Sequence, residues 1–79
     1  MDSVIVAKKK LTGATFGARL KCARESAGLK QGELADMAKV NRVNLSRIEN
    51  DKAMPTVDLA FTLAKLLGVT VDELMGARG

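Results

Sequence analysis

Apolar residues between Gln31 and Pro55 recur at helical rather than strand spacing, in two short runs separated by a brief turn. Leu34, Ala35 and Ala38 fall on one face of the first run, Leu45 and Ile48 on one face of the second, and Val40 bridges them. The pattern predicts two short amphipathic helices, a helix-turn-helix, with these positions turned inward. At about 100° per residue, Arg42, Val43, Ser46, Arg47 and Asn50 gather on the opposite side of the second helix. A guanidinium-rich face with otherwise short side chains is left pointing outward.

The same periodicity places three further helices around this pair. Phe16, Leu20, Ala23 and Ala27 share one face of a first helix expected over Ala14 to Ala27, which Gly28 ends. Asn41 caps the third helix, since its side chain accepts from open amides of the first turn. Pro55 and the cap Thr56 introduce a fourth helix, Val57 to Leu67, in which eight of eleven residues are apolar and only Asp58, Thr62 and Lys65 are polar. So apolar a helix is expected at the centre of the core. Val57, Phe61 and Ala64 form a second apolar stripe beside the polar one, which either fills core or serves as a contact with a second subunit or a foreign partner. Gly68 stops this helix, and a capping box from Thr70 to Glu73 with a staple between Val69 and Leu74 starts a short fifth one that ends by Gly76. The expected fold is all-α, a compact five-helix domain with the helix-turn-helix at helices 2 and 3.

A chain of 79 residues has room for one domain. Residues 12–79 are read as that domain and residues 1–11 as an N-terminal arm, a β-prone patch at Val4-Ile5-Val6 followed by Lys8, Lys9 and Lys10. The arm is either a solvated flexible tail, an arm that follows phosphates, or an edge strand pairing with a symmetry mate. With 47% apolar residues but only two phenylalanines as aromatics, the core must be built from Leu, Val, Ile, Met and Ala. The formal charge of +4 permits a polyanionic partner without demanding one. Placement says more: Lys8, Lys9, Lys10, Arg42, Arg47 and Lys52 lie where backbone phosphates would pass, whereas Asp58, Asp72 and Glu73 lie elsewhere.

The absence of histidine and the single cysteine, Cys22, remove the usual zinc ligands and any disulfide within the chain. There is no glycine-rich phosphate loop and no nucleophile-base pair, so neither a metal, a cofactor nor an enzymatic activity is expected. A single cysteine suits a reducing cytoplasm, and Val4 to Ala7 is too short an apolar run for a signal core or a membrane span.

The chemistry rests on the outward face of the third helix. Arginine presents a planar fork of donors that matches the O6/N7 edge of guanine, and short neighbours such as Val43 and Ser46 let a helix sit deep in a major groove. Asn44 and Asn50 can donate to phosphate or base. Each of these residues alone would be an ordinary solvated surface position; their grouping on the second helix of a closely spaced pair is what points to double-stranded DNA.

The runs Phe16-Gly17-x-Arg19-Leu20-Lys21-x-x-Arg24, Gly28-Leu29-x-Gln31-x-Glu33-Leu34-Ala35, Val40-Asn41, Leu45-Ser46-Arg47-Ile48-Glu49-Asn50 and Pro55 resemble the phage-repressor (Cro/CI, XRE-type) helix-turn-helix family from about Ala14 to Met75. The resemblance implies a lambda-repressor-like domain that binds operator DNA, usually as a homodimer, with its third helix in the major groove. By position it implies that Gln31 contacts backbone or base, that Arg42, Val43 and Arg47 face base edges, that Asn44, Asn50 and Lys52 lie near phosphates, and that Arg24 and Glu49 form an ion pair. Three positions depart from the pattern. Lys30 stands where a capping Ser or Thr is frequent, so the cap is supplied otherwise or is weaker by about 1 kcal/mol. Lys39 and Asp51 stand where glycines are common, and a left-handed backbone there carries strain, less for Asp than for Lys.

The expected function is that of a sequence-specific, homodimeric transcriptional regulator acting on a pseudo-palindromic operator, most simply as a repressor. The competing expectation is an antitoxin-like interaction module that grips another protein and binds DNA only secondarily. That module would show an exposed apolar patch away from the third helix, and Val57 with Phe61 is the candidate.

Overall fold

The structure is a computed structural model that describes Leu11 and residues 13–76. Five helices follow one another: α1 (Phe16–Ser26), α2 (Gln31–Ala38), α3 (Arg42–Glu49), α4 (Val57–Leu67) and α5 (Val71–Met75), with no strand among the described residues. The arm lysines Lys8, Lys9 and Lys10 and the Val4-Ile5-Val6 patch lie outside the described residues.

Local chemistry sets most of the helix ends. Side chains of Thr15, Asn41, Thr56 and Thr70 accept from amides in the first turns of α1, α3, α4 and α5. In α5 the Glu73 carboxylate also takes the Thr70 N–H at 2.8 Å, completing the capping box. α1 begins two residues later than expected, because the Thr15 hydroxyl accepts from the Ala18 amide and so makes Thr15, not an upstream residue, the cap. Its far end is one residue shorter, with Ala27 as the cap and Gly28 at φ +75°. Lys30 gives α2 no side-chain cap; the start of that helix is held by the Glu33 carboxylate, which accepts the Lys30 N–H at 2.7 Å. Lys39 and Asp51 do take the left-handed conformation of the glycines they stand for, at φ 59° and 61°.

The helices close into a ring. α1 packs on α3 and α5, α3 on α2, α2 on α4, and α4 on α5. Leu20, Leu34, Leu45, Ile48, Leu63, Leu67 and Leu74 fill the middle and are essentially inaccessible to water. Ala23, Ala35, Ala38 and Ala64 lie between them, where small side chains let helices approach. The inward positions expected for the helix-turn-helix are buried, with Val40 half-buried against the same cluster.

α4 corrects the expectation in two respects. It is one member of the ring rather than its centre, because α2 and α5 are the helices packed most closely on it and its outward side stays open. Ala60, Leu63, Ala64 and Leu67 point inward, while Val57 is 71% and Phe61 60% exposed. Ala64 is buried, so the supposed stripe splits and Phe61 does not fill core.

Gly17 is the tightest crossing. A Cβ there would collide with the carbonyl oxygens of Ile48 and Glu49 and with the Asp51 carboxylate, so α1 and the end of α3 meet backbone to backbone. Gly17→Ala is expected to destabilise the domain by about 1–3 kcal/mol through overpacking. Urea unfolding checks this; an unchanged midpoint would show that α1 slides aside without cost.

Candidate nucleic-acid interface

α3 packs against α2 and α1, with Leu45 and Ile48 in the core and the opposite face in solvent. Arg42, Val43, Asn44, Arg47, Asn50 and Lys52 are exposed and Ser46 is half-buried. Val43, a β-branched apolar side chain 66% exposed between two arginines, satisfies no packing need of the fold. The sequence-selected face is therefore brought together on one surface.

Several of these side chains already have local partners. The stem of Arg42 passes Gly32, where an added Cβ would stand 3.4 Å from the Arg42 Cδ, so α2 offers a smooth backbone for that stem to lie on. One Arg47 guanidinium nitrogen donates to the Lys52 carbonyl at 3.4 Å, directing the group along the helix towards the following loop. The Asn50 amide donates to the Ser46 carbonyl at 2.9 Å, so in this arrangement its donor is turned back on its own helix rather than outward.

Beneath the face lies a buried charge centre. The Glu49 carboxylate accepts from Arg24 Nε at 2.7 Å and from a terminal Arg24 nitrogen at 3.1 Å, in the fork geometry that makes arginine–carboxylate pairs strong. It also accepts from the Gln31 amide at 3.0 Å, and Arg24 donates its remaining terminal nitrogen to the Leu29 carbonyl at 2.8 Å. Arg24 and Glu49 are 8% and 5% exposed, buried enough that each needs the other. Gln31, expected only as a contact to DNA, thus has a structural commitment as well. Because a carboxylate can only accept, it fixes which way the amide faces: Nε2 inward, Oε1 away.

Asp51 is a residue whose work the sequence did not disclose. Its carboxylate accepts the Thr15 hydroxyl at 2.7 Å and the Gly17 amide at 3.1 Å, clamping the loop after α3 to the start of α1. The carboxylate sits where the positive end of the α1 dipole favours it, which offsets the strain of its left-handed backbone. The only signal in the sequence was an aspartate in a glycine's place.

The helix-turn-helix family profile HTH_3 matches residues 20–74, well over half of the chain. The chain belongs to the XRE-type helix-turn-helix family. Within this family of DNA-binding transcription regulators, it is 39% identical to the HTH-type transcriptional regulator ImmR of Bacillus subtilis (strain 168) over 62 residues, 78% of this chain and 49% of that one. It is 34% identical to the immunity repressor protein of Bacillus phage phi105 over 62 residues, 78% of this chain and 43% of the repressor. The chain therefore spans about half the length of the curated relatives it matches. Among solved structures it is similar to the SinR protein/SinI protein complex, with a TM-score of 0.72 and 31% identity over 76% of this chain and 59% of that one. The P22 c2 repressor in complex with synthetic operator 9T gives a TM-score of 0.78 at 24% identity, over 84% of this chain and 100% of that one, a likeness of fold. The helix-turn-helix domain thus carries the lambda-repressor-like arrangement of five helices. None of its described helices is long and apolar enough to cross a membrane.

Proposed function

We propose that this helix-turn-helix domain inserts α3 into the major groove of operator DNA and acts in a homodimeric transcriptional regulator, repressing by occupancy of a pseudo-palindromic site. The observation that carries the reading is the exposed α3 face, on which Arg42, Val43, Ser46 and Arg47 stand together while the opposite face is fully buried. Arg42 and Arg47 offer guanidinium forks to guanine edges, and Val43 offers an apolar contact to a thymine methyl group. Asn44, Asn50 and Lys52 border that face and position the helix on phosphates, with Lys8, Lys9 and Lys10 adding charge from the arm. Gln31 contributes at the edge with an amide already oriented by Glu49. The relatives' names support regulation of transcription, and the synthetic operator held by the P22 c2 repressor supports duplex DNA as the ligand.

Selecting bound duplexes from a random pool tests the proposal directly. A recovered motif with two-fold symmetry and half-site centres about 10 base pairs apart is expected; a pool without enrichment would defeat it. On the selected site, Arg42→Ala should cost about 1–3 kcal/mol and relax preference at one base pair per half-site, because a bidentate base contact is lost. Lys52→Ala should weaken all sequences alike. Competition binding against single-base variants separates the two, and equal sequence-independent losses would show that α3 does not read bases as assigned.

A further inference from the structure

α4 turns outward a face whose charges are arranged to suit a second copy of itself. Val57, Asp58, Phe61, Thr62 and Lys65 are all exposed, on the side of the helix away from Leu63 and Leu67. The Thr62 hydroxyl donates to the Asp58 carbonyl at 3.0 Å, so covering this face leaves that hydroxyl satisfied. Neither the Asp58 carboxylate nor the Lys65 ammonium group pairs with another described residue. The two charges are two helical turns apart, about 10 Å along the axis, and the point midway between them falls between Phe61 and Thr62.

We propose that two copies of the chain associate through an antiparallel α4–α4 contact whose two-fold axis passes between Phe61 and Thr62. A contact related by a two-fold axis places one surface against itself, with each residue facing its mirror in sequence about the axis. Here that operation sets Asp58 opposite Lys65 of the partner subunit, and by symmetry Lys65 opposite Asp58 of the partner subunit. Phe61 is brought to the centre, where exposed apolar surface is removed from water. A parallel arrangement would set Asp58 against Asp58 of the partner subunit and the two lysines likewise, so the charges select the antiparallel one. The opposite charges stand at equal distances from that axis, as a contact with a second copy of the same face requires.

This inference rests on the homodimer of the preceding reading and supplies its surface. One face of an eleven-residue helix is smaller than the ~800 Å² per partner of a standard stable interface, so association is weak in the absence of DNA. Adjacent half-sites would then complete the weak dimer.

Sedimentation equilibrium of the protein without DNA, up to millimolar concentration, reads the contact separately from the DNA reading. Asp58→Lys and Lys65→Asp should each weaken self-association about tenfold, because each turns both cross-axis pairs from attractive to repulsive. The double variant Asp58→Lys/Lys65→Asp should restore it, and Phe61→Ser should abolish it while thermal melts stay cooperative, since all three side chains are exposed. A monomer at every concentration, or a double variant no better than the single ones, would overturn the proposal. On DNA, the same single variants should bind an isolated half-site like the parent and lose only the gain from a second half-site. Intact half-site binding with unaltered cooperativity would overturn this surface while leaving DNA reading by α3 in place.

Discussion

Glu49→Ala is expected to lower the free energy of unfolding by about 3–5 kcal/mol, because it leaves the Arg24 guanidinium buried without its counter-charge. Against a total of ~5–15 kcal/mol for a small domain, the variant should be partly unfolded at physiological temperature. The size of the effect follows from the geometry: the carboxylate takes two donors from Arg24 and one from Gln31 in a pocket where Glu49 is 5% exposed. The pair itself need not be a net source of stability, since desolvation offsets much of its attraction. A double variant, Arg24→Met/Glu49→Leu, should therefore recover much of the loss. It should not recover full DNA affinity, because Gln31 no longer has a carboxylate to orient its amide. Urea unfolding followed by circular dichroism, beside operator titrations, separates these effects. A Glu49→Ala protein with an unchanged unfolding midpoint but no DNA binding would place Glu49 at the DNA instead of beneath it.

Operator affinity should collapse between 50 and 200 mM salt, by about 10³–10⁴-fold. Three or four phosphate contacts per subunit give the dimer a slope of about −5 to −7 in log K against log salt, at −0.9 per contact. Lys52 and the arm lysines are the groups asked to supply that charge; Asn44 and Asn50, being neutral, can hold phosphate oxygens without adding to the slope. Fluorescence anisotropy over a salt series measures the slope, and removal of residues 1–10 should make it shallower by the arm's share. A slope near zero would remove phosphate neutralisation from the account, and with it the placement of Lys52 beside the backbone.

Features that depend on neighbours in sequence were readable from it. Asn41, Thr56 and the Thr70–Glu73 box hold their helices as their positions required, because a cap is decided within four residues. The split between the buried and exposed sides of α3 was likewise fixed by a 3.6-residue period around Leu45 and Ile48. What escaped was settled by contacts distant in sequence. The tie between Gln31 and Glu49 crosses 18 positions and the Asp51 clamp 34 to 36, and no local rule announces either. The exposed side of α4 escaped for a related reason: its periodicity admits burial on nearly every side, and the packing of other helices on it decides that Phe61 stays outside.

Because α2 supports α3 near Arg42 while Gly17 and Asp51 secure its other end, this helix resembles a beam resting on two supports instead of a lever hinged at its turn. Tilting it would mean separating backbones that touch at Gly17, so α3 has little freedom to adjust its angle to a groove of unfavourable width. Accommodation must then come from side-chain rotamers and from the duplex. Sites differing only in base pairs that no side chain reaches should be ranked by how readily their DNA bends or narrows to meet a rigid probe.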